Sequence, residues 1–533
     1  MSRSDACLVY LINIVQHLII TMPDSGLLLR VAGGLILGYI LQRLIRTLIS
    51  PLRSVPGPFL ARYTDAWYLW RVNKGHWETE NINLHRKHGP IVRYGPNRYS
   101  FADPEALGAI YGHGTKFAKS SWYDAWTPPA GWNLFADRSI PRHANTRRQL
   151  QSTYSMTSLV SYEPYVDQCA EIFAQRLEEM SESGTNSNSP VVDMGHWLQC
   201  YAFDVIGQIT YGARVGFLDA GVDVQGIMHA IENGLAYGTF VGIYARFHRL
   251  TFAAVNFLAG KKGAGREYVV TLTKTRVAEA QEKRTNPQPR ADEEGGAEPF
   301  VSKFLAKYER DPETFSMQHV MTGLTANMAA GSDTTGATLS AIVYYLIKNP
   351  ECIRKLREEI EEFRGRGLLS DSYAFKETQQ MPYLQAIIKE ALRIHPATGL
   401  PLERVVPEGG ATICERFFPG GTIVGINSWV AHRNTQVFGS DADEFRPERW
   451  LIKDDDKLAA MNRQWIPFGV GSRTCIGRHI STLEISKLIP RIVNDFDFEL
   501  STTGNTPGDS WSTRNYWFVK PRGFEVKVKV RTS

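Results

Sequence analysis

The segment Phe468-Gly469-Val470-Gly471-Ser472-Arg473-Thr474-Cys475-Ile476-Gly477 sets one thiol among glycines, an aromatic ring and a permanent cation. A sulfur presented in this way is suited to ligating a metal at the centre of a flat macrocycle. Gly471 and Gly477 allow a tight turn and a close approach of backbone to a planar group. Backbone N–H groups that follow Cys475, where a helix opens, can bond the sulfur and stabilise its charge. Phe468 can shield the sulfur from water, and the fork of Arg473 matches a carboxylate. Five fixed positions at ~5% each make a chance match roughly a one-in-ten-thousand event for a chain of this length. The remaining cysteines, Cys7, Cys169, Cys200, Cys352 and Cys414, contain no C-x-x-C pair and read as small buried hydrophobes. Six cysteines in all are too few for a disulfide-stapled fold.

Three further patterns carry chemistry or hold it in place. Ala330-Gly331-Ser332-Asp333-Thr334-Thr335 puts small and hydroxylic residues inside an apolar helical stretch from about Ser316 to Lys348. Such hydroxyls can bond backbone carbonyls of the preceding turn. Glu390 and Arg393 lie at i, i+3 among Ala386, Ile387, Ile388 and Leu392, which argues for a buried pair. A buried pair needs further partners to offset desolvation, and Phe445-Arg446-Pro447-Glu448-Arg449-Trp450 supplies one in Arg449. His143 and Arg147, at i, i+4, can reach the same carboxylate from one helix face.

Together these segments resemble the cytochrome P-450 family, and the resemblance extends over nearly the whole chain. It implies a mainly α fold with a minor β part, preceded by an N-terminal membrane-anchor helix. By the same resemblance Cys475 is the axial ligand of the iron of haem b, with Phe468, Gly471 and Gly477 shaping its loop. Arg473, His143, Arg147 and Arg404 are implied to meet the haem propionates. Asp333 and Thr334 match the acid–alcohol pair that relays protons to bound oxygen, and Glu390, Arg393 and Arg449 match a structural triad. Ser121 to Trp126, Trp132, Asn327, Ala330, Thr398 to Leu400 and Trp517 fall in regions that line the pocket.

The implied reaction inserts one oxygen atom of O₂ into a lipophilic small molecule. No nicotinamide or flavin fingerprint is present, so electrons are expected from NADPH through a separate NADPH-cytochrome reductase. Arg142, Arg147, Arg148, Arg463 and Arg478 are candidates for its basic docking face. The segments Pro51–Pro58, Phe203–Phe217 and Phe445–Trp450 look most like fungal members that decorate natural products, pointing to a terpenoid, alkaloid or polyketide intermediate. Two other classes compete: a haem enzyme that rearranges an oxygenated substrate without O₂, and a non-catalytic haem-binding membrane protein. Neither has a use for the proton relay that Asp333 and Thr334 match.

The elements that must position these residues follow from pattern. Ala6 to Met22 and Leu27 to Ile49 are apolar, and the stretch of about 27–49 is the better membrane span. Arg43, Arg46 and Arg53 on its C-terminal side place the following domain on the cytoplasmic face, as expected at the endoplasmic reticulum. Pro51, Pro56 and Pro58 suggest a stiff, extended hinge over 51–58, leaving 59–533 as the haem-binding monooxygenase domain. Helices are expected over His143–Tyr154, Pro164–Ser181, Met194–Tyr211 and Glu351–Arg364. A hairpin is expected around Gly95-Pro96-Asn97, and strands over Gly421–Gly425 and Phe524–Val530. Lys283–Pro299 reads as a surface linker. Composition fits one large domain: 43% of the 533 residues are hydrophobic and 22% charged. A net charge of +5 suits an anionic membrane or partner, and no nucleic-acid-binding motif is present.

Overall fold

The structure is a computed structural model that describes residues 33–531, apart from 35, 36, 39, 40, 43, 46 and the segments 183–189, 260–263, 286–296 and 502–510. The described residues between 33 and 49 are helical, and Leu37, Leu41, Leu44, Ile45, Leu48 and Ile49 are exposed. Among the described residues no helix is long and apolar enough to cross a membrane. The expected span falls largely on residues outside those described, as does most of the linker at 283–299.

In chain order, the elements that build the site begin with α1 (Trp77–His88), β1 (Ile91–Gly95), β2 (Arg98–Phe101) and β3 (Ala118–Lys119). Then follow α2 (Ile140–Leu150), α3 (Glu163–Glu182), β4 (Val191–Asp193), α4 (Met194–Tyr211), α5 (Ile227–Ile243) and α6 (His248–Ala259). The central helix is α7 (Met317–Lys348), followed by α8 (Pro350–Gly365) and α9 (Pro382–Ile394). Strands β5 (Arg404–Val405) and β6 (Ile423–Ile426) precede α10 (Arg478–Asp495). The chain closes with β7 (Phe496–Leu500), β8 (Ser512–Tyr516), β9 (Phe518–Arg522) and β10 (Glu525–Val530).

Local signals explain most of these boundaries. The carboxylate of Asp193 accepts from the N–H of His196 to cap α4, and Gly212 ends that helix at φ +76°, where a Cβ would be strained. The 32-residue α7 starts from a reciprocal Ser316–His319 cap. β1 and β2 form the expected antiparallel hairpin, with Ile91 opposite Phe101. β2 then pairs in parallel with β6, giving a five-stranded sheet in the order β1-β2-β6-β5-β3. β10 sits between β4 and β7 in a second sheet.

The hinge differs from expectation. Residues 51–58 turn back instead of extending: Val55 N donates to Leu52 O at 3.1 Å, and both side chains are buried. A Cβ on Gly57 would lie 2.1 Å from Arg93 O, so this segment is pressed against β1. Leu52 and Val55 are apolar enough to gain more by packing on the sheet than by remaining extended. Lys283 to Thr285, expected in the linker, instead complete a helix spanning Ala264–Thr285.

The main core surrounds α7. Its closest neighbour is α4, and the approach depends on two glycines. A Cβ on Gly331 would meet Ile206 Cγ1 at 2.9 Å, and one on Gly336 would meet Gln199 Cα at 3.0 Å. Behind this pair, α9 buries Glu390 and Arg393 completely.

Candidate haem-thiolate site

The loop before α10 delivers Cys475 with its sulfur at a helix start. Cys475 N donates to Phe468 O at 2.8 Å, closing the loop. Gly471 adopts φ +68°, and a Cβ there would come within 2.0 Å of Tyr111 O. Burial pushes the Cys475 thiol up, while the N–H groups of Gly477 and Arg478 bond the sulfur and, with the Arg147 and Arg478 charges, pull it back. Protein surrounds the sulfur, and yet the residue is accessible, as a group opening onto an internal hollow would be. Phe468 is half-buried and packs at the edge of the core beside Trp465. A Cβ on Gly477 would meet no atom within 4 Å, which leaves room for a flat group against the backbone.

Several cations converge on one wall of this site without enough negative charge to balance them. Arg473 sends Nη1 to Asp137 O at 2.6 Å and leaves Nη2 buried without a partner. Arg404 is buried, donates Nη1 to Glu403 O at 2.9 Å and meets the Tyr123 hydroxyl. Burial and then Arg404 hold the Arg473 guanidinium down at about 10. His143 is buried, and its pKa falls to about 3 through burial followed by the charges of Arg473, Arg147 and Lys119. Asp137, the nearest acid, is already bound bidentately by Arg142 at 2.7 and 2.8 Å. An anionic group would relieve this repulsion, and the two propionates of haem fit the donor set.

Lys119 belongs to the same cluster and was not anticipated from sequence. It is buried, donates to Phe135 O, and lies 4.1 Å from the Tyr123 ring centroid and 4.2 Å from that of Phe135. Burial, then Arg404 and Arg473, push its pKa well below the ordinary lysine value. No local pattern marks this residue, because Phe135, Arg404 and Arg473 reach it from farther along the chain.

On α7, Ser332, Thr334, Thr338 and Ser340 each bond the carbonyl four residues back at 2.7–2.9 Å, as expected of helical hydroxyls. Ala330 is exposed and Thr334 half-buried, so this face borders accessible space. Asp333 is buried, and its carboxylate accepts from Gln199 Nε2. Asn327, expected to line the pocket, is instead occupied by Tyr154 and Thr210 in the core. A buried amide needs such partners, and the neighbouring helices supply them.

Trp517 joins residues that are far apart in sequence. Its ring lies 5.0 Å from Trp122, 5.8 Å from Trp126 and 5.8 Å from Phe135. The Trp517 carbonyl accepts from Gly399 N at 2.9 Å, and Leu400 packs in the same cluster. Trp132 stacks edge-on to His319 at 5.0 Å, away from this group.

Glu390, Arg393 and Arg449 form a closed network. Arg393 grips the carboxylate through two bonds of 2.8 Å, Arg449 Nε adds one at 2.9 Å, and Trp450 Nε1 another at 2.9 Å. Of the expected docking residues, Arg148, Arg463 and Arg478 are exposed. Arg142 is engaged by Asp137, and Arg147 is half-buried near the Cys475 sulfur, so neither is free on the outer surface.

Comparison with known proteins agrees with this geometry. The family model described as "Cytochrome P450" matches residues 65–528. A "Cytochrome P450 monooxygenase" of Aspergillus terreus is 38% identical over 476 residues, covering 86% of this chain and 94% of its own. The pisatin demethylase of Fusarium vanettenii is 38% identical over 510 residues, covering 95% and 94%. The monooxygenase cicH of Emericella nidulans is 37% identical over 487 residues, covering 90% and 94%. The chain belongs to the cytochrome P-450 family. It is a haem-thiolate monooxygenase, an oxidoreductase that draws its electrons from a partner reductase.

Proposed function

We propose that this chain binds haem b through Cys475 and oxidises a lipophilic natural-product intermediate at the cytoplasmic face of the endoplasmic reticulum. The observation that carries the reading is a thiol capped by two N–H groups beside a cluster of cations that outnumber the acids near them and leave Arg473 Nη2 without a partner. When bound there, haem supplies the activation of O₂ that side chains alone do not provide. The protein residues do the rest. Gly477 and Arg478 stabilise the thiolate, while Arg473, Arg404, Arg147, His143 and Lys119 hold the propionates. Thr334, at the accessible face of α7, and Asp333 behind it move protons from water to the hollow. The Trp122–Trp126–Trp517 cluster excludes water and offers an apolar surface to the substrate.

NADPH-cytochrome reductase docks on the face carrying Arg148, Arg463 and Arg478. The helical segment within 27–49 anchors the domain, consistent with its exposed leucines and isoleucines. On α6, Phe257 and Leu258 are also exposed and can rest on the same lipid surface. The substrate is a terpenoid, alkaloid or polyketide, and oxidative demethylation, the activity named for the Fusarium relative, is one outcome the same oxidant permits.

The test is coexpression with a reductase in microsomes and a screen of candidate scaffolds, preceded by a reduced, carbon-monoxide-bound spectrum. Cys475→Ser should abolish both the thiolate Soret shift and product. A variant that retains both overturns the assignment.

A further inference from the structure

Asp333 is held from two other elements. Gln199 on α4 donates to Oδ1, and Lys520 on β9 places Nζ 3.2 Å from Oδ2. Among the described residues Lys520 is the only cation in ion-pair range of this acid. Its approach is off the line of a good hydrogen bond, so Oδ2 has an ion-pair partner and no hydrogen-bond donor. Asp333 is 1% exposed, whereas the Lys520 side chain is 14% exposed. Thr334 turns its hydroxyl to Ala330 O at 2.8 Å. No hydrogen bond joins Asp333 to Thr334 among the described residues. On α10, the next helix packed here, Ser481 meets Thr335 at 2.8 Å and brings no charge.

The strand that carries Lys520 begins beside the pocket. Trp517, just before β9, sits in the aromatic cluster at φ +80°, a conformation that strains a bulky residue. At the far end of β9, Arg522 pairs with Glu232 on α5. On β8, Asn515 donates to Glu78 at 2.6 Å and to Gly399 O at 3.0 Å. The hairpin therefore contacts the pocket roof and the buried acid at the same time.

We propose that Lys520 is a positioning residue for Asp333. Its ammonium holds the carboxylate turned toward α4. A substrate pressing on Trp517 shifts the hairpin, which frees the carboxylate to turn toward Thr334 and deliver a proton. The proton comes from water: the carboxylate takes it from hydronium, water is released, and lysine stays charged throughout. Direct transfer from the ammonium is disfavoured, because ordinary lysine and aspartate pKa values differ by about six units. This inference rests on the relay role given to Asp333 and Thr334 above.

The test uses the full-length holoenzyme with its reductase in microsomes, and the variants Lys520→Met, Lys520→Arg and Asp333→Asn. The infrared difference between Asp333→Asn and its parent reads Asp333 protonation in the resting state, independently of turnover. Without the ammonium the carboxylate loses its ion-pair partner, so the Asp333 carboxyl bands of Lys520→Met should differ from those of the parent at the same pH. Lys520→Arg should behave as the parent. With NADPH and no added substrate, peroxide released per NADPH should rise several-fold in Lys520→Met, with an altered solvent deuterium isotope effect. If Lys520→Met matches the parent in both measurements while Asp333→Asn changes NADPH oxidation, the positioning role is wrong. If Asp333→Asn itself leaves rate and isotope effect unchanged, the relay assignment fails and takes this inference with it. Should Lys520→Met lose haem, Lys520→Gln makes the same comparison.

Discussion

Replacing Glu390 with Ala tests how buried charge holds the core behind the haem site. Glu390 and Arg393 are 0% exposed and Arg449 is 1% exposed, so none of them can turn to water. The carboxylate accepts five bonds: two from Arg393, one each from Arg449 and Trp450, and one from Arg446 N at 2.9 Å. Without it Arg449 still pairs with Asp441 at 3.2 Å, but Arg393 keeps only the carbonyls of His432, Ala442 and Glu444. Removing one partner of a buried pair costs about 3–5 kcal/mol, chiefly the uncompensated charge left behind. That is a fifth or more of a typical domain's stability of about 5–15 kcal/mol. Denaturant unfolding, followed by tryptophan fluorescence and the haem Soret band, should show both midpoints falling together. The decisive arm is the cycle with Arg393→Met. If the cost is an orphaned guanidinium, the double variant should lose about 2–3 kcal/mol less than the sum of the singles. Additivity within about 0.5 kcal/mol would refute the reasoning, since independent sites add to that tolerance.

Three further changes have defined outcomes. Glu78 is buried against Asn515, and burial raises its pKa to about 7 from an ordinary 4.5. The folded chain therefore binds more protons than the unfolded one between these values, and stability falls by up to about 3 kcal/mol as pH rises through that window. Glu78→Gln should be more stable than the parent above pH 7 and indistinguishable below pH 4.5, read from denaturation midpoints across pH. Lys119→Met removes a buried cation from the propionate cluster, and haem transfer to apomyoglobin should be about ten- to a hundred-fold faster, from the loss of a charge-assisted bond of about 1.5–3 kcal/mol. Gly471→Ala adds strain at φ +68° and a contact 2.0 Å from Tyr111 O, so the carbon-monoxide band of the reduced protein should be mostly lost.

The sequence was most legible where the signals are local. Met194–Tyr211 was expected with the boundaries it has, because its cap at Asp193 and stop at Gly212 adjoin the apolar run. The hairpin at Gly95-Pro96-Asn97 and the long α7 were readable for the same reason. In the Cys475 loop, the glycine, the following N–H groups and the thiol are all within a few residues of one another. Readings that depended on long-range neighbours did worse. Gly331 stands in the sequence only as one small residue of an apolar helix, and the folded chain shows that its lack of a side chain makes room for Ile206 of α4. Asn327 falls in a pocket-lining region by resemblance, but Tyr154 and Thr210 occupy its amide in the core. Lys119 gave no sign at all, since Phe135, Arg404 and Arg473 reach it only in the folded chain.

The cation cluster links cofactor binding to folding. Burial and the Arg404 charge lower the pKa of both Lys119 and Arg473, and Arg473 lowers that of Lys119 further, so the chain alone carries this repulsion as a cost. His143 adds no charge, because burial and those same cations keep it neutral. Asp137 cannot compensate while Arg142 holds both its oxygens. A ligand that brings two carboxylates into this wall cancels the repulsion and gives Arg473 Nη2 a partner. Whatever binds only the folded state stabilises it by mass action. On the proposed binding mode, the residues that hold the cofactor also leave the apoprotein strained, and cofactor insertion adds to stability as well as to chemistry. In that binding mode the cluster can keep several buried cations although Asp137, its nearby acid, is already engaged by Arg142, because the ligand brings further anions.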